Sequence, residues 1–224
     1  MIDLTLLGTV RVSHVSGDAA LAGMQPKRTA LLAFLAIARP RGAHRRDALV
    51  ALLWPELDQD RARSALRQGV HAIRRTLGSD ALSSAGTEVL ELERSQFRCD
   101  LWELEAAAAR ADHGAVLQGY GGDLLNGFHL QGAPEFERWL DGERARLRSL
   151  VRASAWAEAE RACAGGHGED VVNCTGLAME LSELDEGAAR RAMTMLSAVG
   201  MRTTALALYE RFATGLRRDL EVEP

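Results

Sequence analysis

The run DQDRARSALRQGVHAIRRTLG, residues 58–78, is the most informative stretch of the chain. At about 100° per residue, Leu66, Val70, Ile73 and Leu77 fall within about 60° of arc, which predicts an amphipathic helix with one apolar stripe. Asp58 and Asp60 are both placed to cap its start, and Gly78 ends it. Ser64, Arg67, Gln68, His71 and Arg75 gather opposite the stripe, with Arg63 and Arg74 on one flank. From Arg61 to Arg75 there are five arginines and no acid. Arginine, glutamine, serine and imidazole groups can hydrogen-bond base edges in a major groove, and a face without carboxylates does not repel phosphates. In most helices a basic face opposite an apolar stripe is only a solvated surface. The neighbours of this helix in the chain give it a further meaning.

Upstream, the first ~22 residues read as short strands, with Leu4, Leu6, Leu7, Val10 and Val12 partly alternating with polar residues and turn chemistry at Ser16-Gly17-Asp18. Pro26 opens a helix over residues 27–38, which Arg39-Pro40-Arg41-Gly42 breaks. A second helix over 45–53 stops at Trp54-Pro55, because proline disfavours helical geometry in the residue before it. Downstream, Val89, Leu90, Leu92 and Phe97 around the turn Ala85-Gly86-Thr87 predict a hairpin and a further short strand within 82–100. Strands, helix, helix, basic helix, hairpin is the order of a winged helix with the basic helix as reader. Lys27, Arg28, Arg45 and Arg46 stand near the starts of the two earlier helices, where phosphate contacts arise.

From residue 101 onward the pattern is helical: 101–111, 113–120, 134–164, 169–181, 186–199 and 201–220, punctuated by Gly119–Gly122, Gly165–Gly168 and Gly200. The stretch from Gly168 to Gly200 suggests a period near 32, close to the ~34 of tetratricopeptide-like helix pairs. The expected fold is mainly α with a small β component. A winged helix-turn-helix domain (1–100) is followed by an all-α tetratricopeptide-like domain (101–224).

Composition agrees with two compact domains: 224 residues, 47% apolar and 26% charged. The longest apolar run, 30–38, is shorter than the ~20 residues a spanning helix needs. Met1-Ile2-Asp3 gives no secretory signal. Three scattered cysteines, Cys99, Cys163 and Cys174, form no disulfide framework, so a reducing cytoplasm and no membrane are expected. The net charge of −4 divides unevenly: residues 1–100 hold 14 Lys+Arg and 11 Asp+Glu, whereas 101–224 hold 13 and 20. A polyanion partner is expected for the first half and a different partner for the second. The single lysine, Lys27, reflects compositional bias.

Catalytic and cofactor signatures are missing. The only lysine follows Pro26 without a glycine run, so no GxxxxGK[ST] loop exists, and there is no HExxH or GxSxG. Cys163, His167 and Cys174 match no zinc spacing and read as buried thiols beside a turn histidine. Asn173-Cys174-Thr175 matches a glycosylation sequon that is idle without secretion. Phe136, Trp139 and Trp156 read as core. Neither enzyme chemistry nor a cofactor is expected.

Several short motifs carry a family resemblance. They are Leu6-Leu7-Gly8, Lys27 with Ala30-Leu31-Leu32, Leu53-Trp54-Pro55, Ala65-Leu66-Arg67-Gln68, Ile73-Arg74-Arg75-Thr76-Leu77-Gly78 and Cys99-Asp100-Leu101-Trp102. In the second half come Trp139-Leu140 with Arg144, Leu184-Asp185-Glu186, Gly200, Ala205-Leu206, Tyr209-Glu210 and Glu221-Val222-Glu223-Pro224. In this order they resemble the SARP regulators (Streptomyces antibiotic regulatory proteins), which join an OmpR-like winged helix to a bacterial transcriptional activator domain. The resemblance implies an activator that binds tandem direct repeats on double-stranded DNA near promoters. It also implies recruitment of RNA polymerase, with a homodimer or tandem copies on the repeats. By motif match Arg67 and Gln68 are the base-contact candidates, and Arg74 and Arg75 lie on or near phosphates. The alternative is a helical-repeat interaction adaptor whose winged helix no longer binds DNA.

Overall fold

The computed structural model describes residues 1–14, 24–84 and 86–220. The expected turn at Ser16-Gly17-Asp18, Ala85 of the hairpin turn and the ending Glu221-Val222-Glu223-Pro224 therefore lie outside the described residues. The chain divides into two compact units, Met1–Glu103 with Gly121–Ala145, and Leu104–Tyr120 with Arg146–Pro224. Counted by unit, the charge imbalance nearly vanishes: 16 Lys+Arg against 17 Asp+Glu in the first, 11 against 14 in the second. The basic excess of residues 1–100 is offset within the first unit, because residues 121–145 add five acids to it.

In the first unit, β1 (Ile2–Thr5) pairs antiparallel with β2 (Arg11–His14) and parallel with β6 (Phe97–Cys99). A second sheet has β5 (Val89–Leu92) at its centre, flanked antiparallel by β3 (His44–Arg45) and β4 (Leu82–Ser83). The helices are α1 (Pro26–Ile37), α2 (Arg46–Leu53) and α3 (Gln59–Leu77). The two-residue strand β3 replaces the expected first residue of the second helix, because Arg45 is extended and α2 starts at Arg46.

The Asp58 carboxylate accepts from the Arg61 N–H at 3.0 Å, so Asp58 is the cap of α3 and Asp60 occupies its first turn. Gly78 ends the helix at φ +108°, a conformation that disfavours any side chain. Leu66, Val70, Ile73 and Leu77 are all buried. At about 1.5–3 kcal/mol each, this stripe contributes more than local helix propensity, which the arginines and alanines support and Gly69 lowers.

α4 (Asp100–Ala109) opens on a residue that ties distant chain together. The Asp100 carboxylate accepts from the N–H groups of Leu6 (2.9 Å), Leu7 (2.9 Å) and Leu101 (2.7 Å). Burial nonetheless raises its pKa above that of an ordinary aspartate, outweighing the downward pull of those donors. Trp102 Nε1 donates to the Ala36 carbonyl at 2.9 Å, and the Arg94 guanidinium lies 4.3 Å from the Trp102 ring centroid. Residues 123–126 clip onto the end of β1: Gly8 N–H donates to Asp123 O (2.9 Å), Leu125 N–H to Leu6 O (2.8 Å) and Asn126 N–H to Gly8 O (2.9 Å). Gly8 has φ +82°, and a Cβ there would stand 2.6 Å from the Gly121 carbonyl oxygen.

The second unit contains α5 (His113–Gly119), most of α6 (Pro134–Ala164), α7 (Gly168–Glu180), α8 (Glu186–Ala198) and α9 (Arg202–Leu220). Its core is rich in small residues, including Ala155, Ala159, Ala162, Ala178, Ala189 and Ala192, with Trp156 and Phe212 filling between them. Three helix-to-helix turns repeat one hydrogen-bond pattern. Asp112 N–H donates to Ala107 O, His167 N–H to Ala162 O, and Met201 N–H to Leu196 O. The residue before each donor is left-handed: Ala111 (φ 55°), Gly166 (73°) and Gly200 (82°). The equivalent of Gly200 is thus Gly166, 34 residues earlier, and the period near 32 read from Gly168 is corrected to that spacing. Glycine content alone could not set the register, since Gly168 already belongs to α7.

Candidate nucleic-acid interface

The outward face of α3 is built as its periodicity requires: Arg67, Gln68, His71 and Arg75 are exposed and Ser64 is half-buried. Arg28 of α1 joins Ser64, Arg67, Gln68, His71 and Arg75 around a shallow hollow of about 440 Å³. A second, larger cleft of about 650 Å³ lies between α3, the start of α2 and the hairpin turn. Arg46, Arg63, Arg67, His71 and Arg74 line it, facing Ser84, Gly86 and Thr87. The two hollows share Arg67 and His71, so the surface from Arg28 to the hairpin is continuous.

The flanking arginines do not all face outward free of partners. Arg74 is half-buried and donates to the Leu82 carbonyl from Nε (3.2 Å) and NH2 (2.9 Å), and to Ser84 Oγ at 3.1 Å. It therefore holds β4 against α3. Arg46 donates to the same Ser84 hydroxyl at 3.2 Å. Burial first, then the nearness of Arg74 and Arg67, lowers the Arg46 pKa from its ordinary value. Two guanidinium groups converging on one hydroxyl raise the local positive potential, and an anion entering the cleft would relieve it.

The acid-free character seen along α3 does not extend to the whole cleft. Asp47 lies 3.2 Å from Arg63 and 3.8 Å from Arg45, and Glu88 lines the hairpin side. Arg45 and Arg63 share this one carboxylate, so a phosphate has to compete with it. Lys27 is turned to Glu56 as an ion pair, and its ammonium lies 5.6 Å from the Trp54 ring centroid. The sequence places Arg46, like Arg28 and Arg45, near a helix start. The structure puts it in the cleft wall, and no helical periodicity could reveal that.

Among the described residues no group of three His, Cys, Asp or Glu side chains could hold a metal ion, and no helix is long and apolar enough to cross a membrane. Cys99 and Cys174 are buried, and burial pushes the Cys99 thiol up to about 12.

A family model described as the bacterial transcriptional activator domain matches residues 89–224. No curated protein matches the chain. Among solved structures the chain is similar to Mycobacterium tuberculosis EmbR in complex with a low-affinity phosphopeptide, with a TM-score of 0.68 and 25% identity. That match covers 100% of this chain and 62% of the EmbR chain. The chain therefore spans about three fifths of the length of the protein it resembles.

Proposed function

The chain belongs to the bacterial transcriptional activator domain family, and from that membership we propose that it is a sequence-specific DNA-binding activator of SARP type. In this reading residues 1–100 act as an OmpR-like winged helix, with α3 entering the major groove and the β4–β5 hairpin lying toward the minor groove. Arg67 and Gln68 contact base edges, and Ser64 and His71 lie beside them on the same face. Arg28, Arg45, Arg63 and Arg75 contact phosphates, whereas Arg74 braces the hairpin from within. Lys27 would reach a phosphate only by leaving Glu56. The helical part, 101–224, would contact RNA polymerase and support tandem binding on direct repeats, in the cytoplasm.

One observation carries the reading: the exposed Arg67–Gln68–His71–Arg75 row of α3 is continuous with a cleft walled by Arg46 and Arg74 under the hairpin. The test is an affinity selection of sheared genomic DNA on the purified chain, followed by sequencing. Enrichment of short direct repeats near promoters is expected. Recovery of no preferred sequence at moderate salt would overturn it.

The second reading, a helical-repeat adaptor, is favoured by the threefold repeat of the helix turn at Ala111, Gly166 and Gly200. An adaptor would show little DNA affinity at any salt concentration.

A further inference from the structure

A third hollow, of about 600 Å³, lies on the flank of α3 away from the hairpin, between the start of α1, Ala65, Gln68 and Gly69 of α3 and a loop that precedes α6. It shares Arg28 and Gln68 with the hollow over the α3 face. Its outer wall is His129, Leu130 and Gln131, residues that come from the stretch matched by the family model.

This loop has neither helix nor strand geometry, yet it is pinned at many points. The Arg144 guanidinium donates to the carbonyls of Leu124 (2.9 Å), Leu125 (2.9 Å) and Phe128 (3.2 Å). Leu130 is 3% exposed, and its N–H donates to Glu137 Oε1 at 2.6 Å. The other oxygen of that carboxylate lies 3.0 Å from His129 Nδ1. A buried anchor between two exposed polar neighbours fixes the outward direction of His129 and Gln131. Holding an irregular segment this firmly removes the ordering cost that a mobile loop meets on binding.

We infer that the loop at 127–133 is a third contact element of the DNA interface, with Gln131 and His129 reaching the sugar–phosphate backbone alongside α3, on the flank away from the hairpin. The inference rests on the DNA-binding reading above and names a contact outside residues 1–100. Side-chain amides and imidazoles are ordinary donors to phosphate oxygens, and such contacts fix register without reading sequence. The continuity through Arg28 and Gln68 brings the loop to the same duplex that α3 would read.

The test uses the full chain and a duplex carrying its selected repeat. Gln131→Glu should weaken binding severalfold, and Gln131→Arg should strengthen it and steepen the log–log salt slope by about 0.9, one extra phosphate contact. His129→Ala should weaken binding without changing the preferred sequence. Hydroxyl-radical footprints should lose protection on one flank only in Gln131→Glu. Gln131 is exposed and takes no part in pinning the loop, so its two variants retain the fold, as a circular dichroism melt would verify. If the wild-type chain binds its repeat and both Gln131 variants match it, the loop contact is wrong while the DNA-binding reading stands. If the wild-type chain binds no DNA, both fall together.

Discussion

Arg67 and Arg75 lie on one helix face, about two turns apart, and in the proposed complex they do different work. Arg67 sits where the two hollows meet, which in the proposed complex turns it toward the groove. Arg67→Ala should cost about 1–3 kcal/mol at one base pair and relax discrimination there. Arg75→Ala should instead weaken all sequences alike and make the salt slope shallower by about 0.9. Affinities for the repeat and for single-base variants at several salt concentrations measure both. Equal, sequence-independent losses in the two variants would contradict the assignment. Asp100 is a different kind of residue, one that holds the fold. Asp100→Ala leaves the N–H groups of Leu6 and Leu7 without their carboxylate and should destabilise the protein by about 2–4 kcal/mol, read by chemical denaturation. Its partner contacts are 94 and 93 residues away, so the sequence shows only an aspartate before a helix.

At the scale of elements, α3 was legible from its own residues, because period, cap and glycine stop are local properties. Its buried stripe, the Asp58 cap and the Gly78 end all fall where the pattern puts them. The sheet partners were not legible in the same way. β3 is two residues long and leaves no alternation, and β6 pairs in parallel with β1 across most of the first unit. The polar partners of Lys27, Arg63 and Arg74 depend on which chain passes nearby, so a helical wheel cannot assign them. The hairpin illustrates the consequence. Arg74 holds β4 by a carbonyl and a hydroxyl, so Arg74→Met should loosen the hairpin and weaken binding to every sequence without changing the preferred one. Increased amide exchange over residues 82–92 would confirm the cause. An unchanged exchange rate would return Arg74 to a direct phosphate role.

β3 also carries a pH prediction. His44 packs against Phe34 with ring centroids 5.2 Å apart, and its Nε2 is buried with no partner among the described residues. Burial, only partly opposed by the charge of Glu91, lowers its pKa from 6.5. Below pH 6.5 the unfolded chain takes up a proton that the folded chain resists, so stability falls as the pH drops from 6.5 to the lowered value and levels off beneath it. His44→Phe should flatten that window in denaturant midpoints measured between pH 7 and 5. A slope identical to the wild-type protein would assign the effect to another group.

For the whole molecule, the sequence gives a two-part chain with an acidic second half, whereas the structure draws residues 121–145 into the first unit and leaves the two units nearly alike in net charge. Hydropathy could not show this, since the clip of 123–126 onto the end of β1 is made by backbone groups. In the proposed reading the binding surface for DNA is then a local concentration of arginines, with an affinity that depends on salt in proportion to the phosphates it meets. The most direct measurement is the affinity of the full chain for its selected repeat and for a scrambled duplex, each titrated across salt concentration. A log–log slope of about −4.5 to −7, equivalent to ~5–8 phosphates, is expected, with the repeat bound more tightly than the scrambled duplex throughout. A flat salt dependence, or equal affinity for both duplexes, would contradict it.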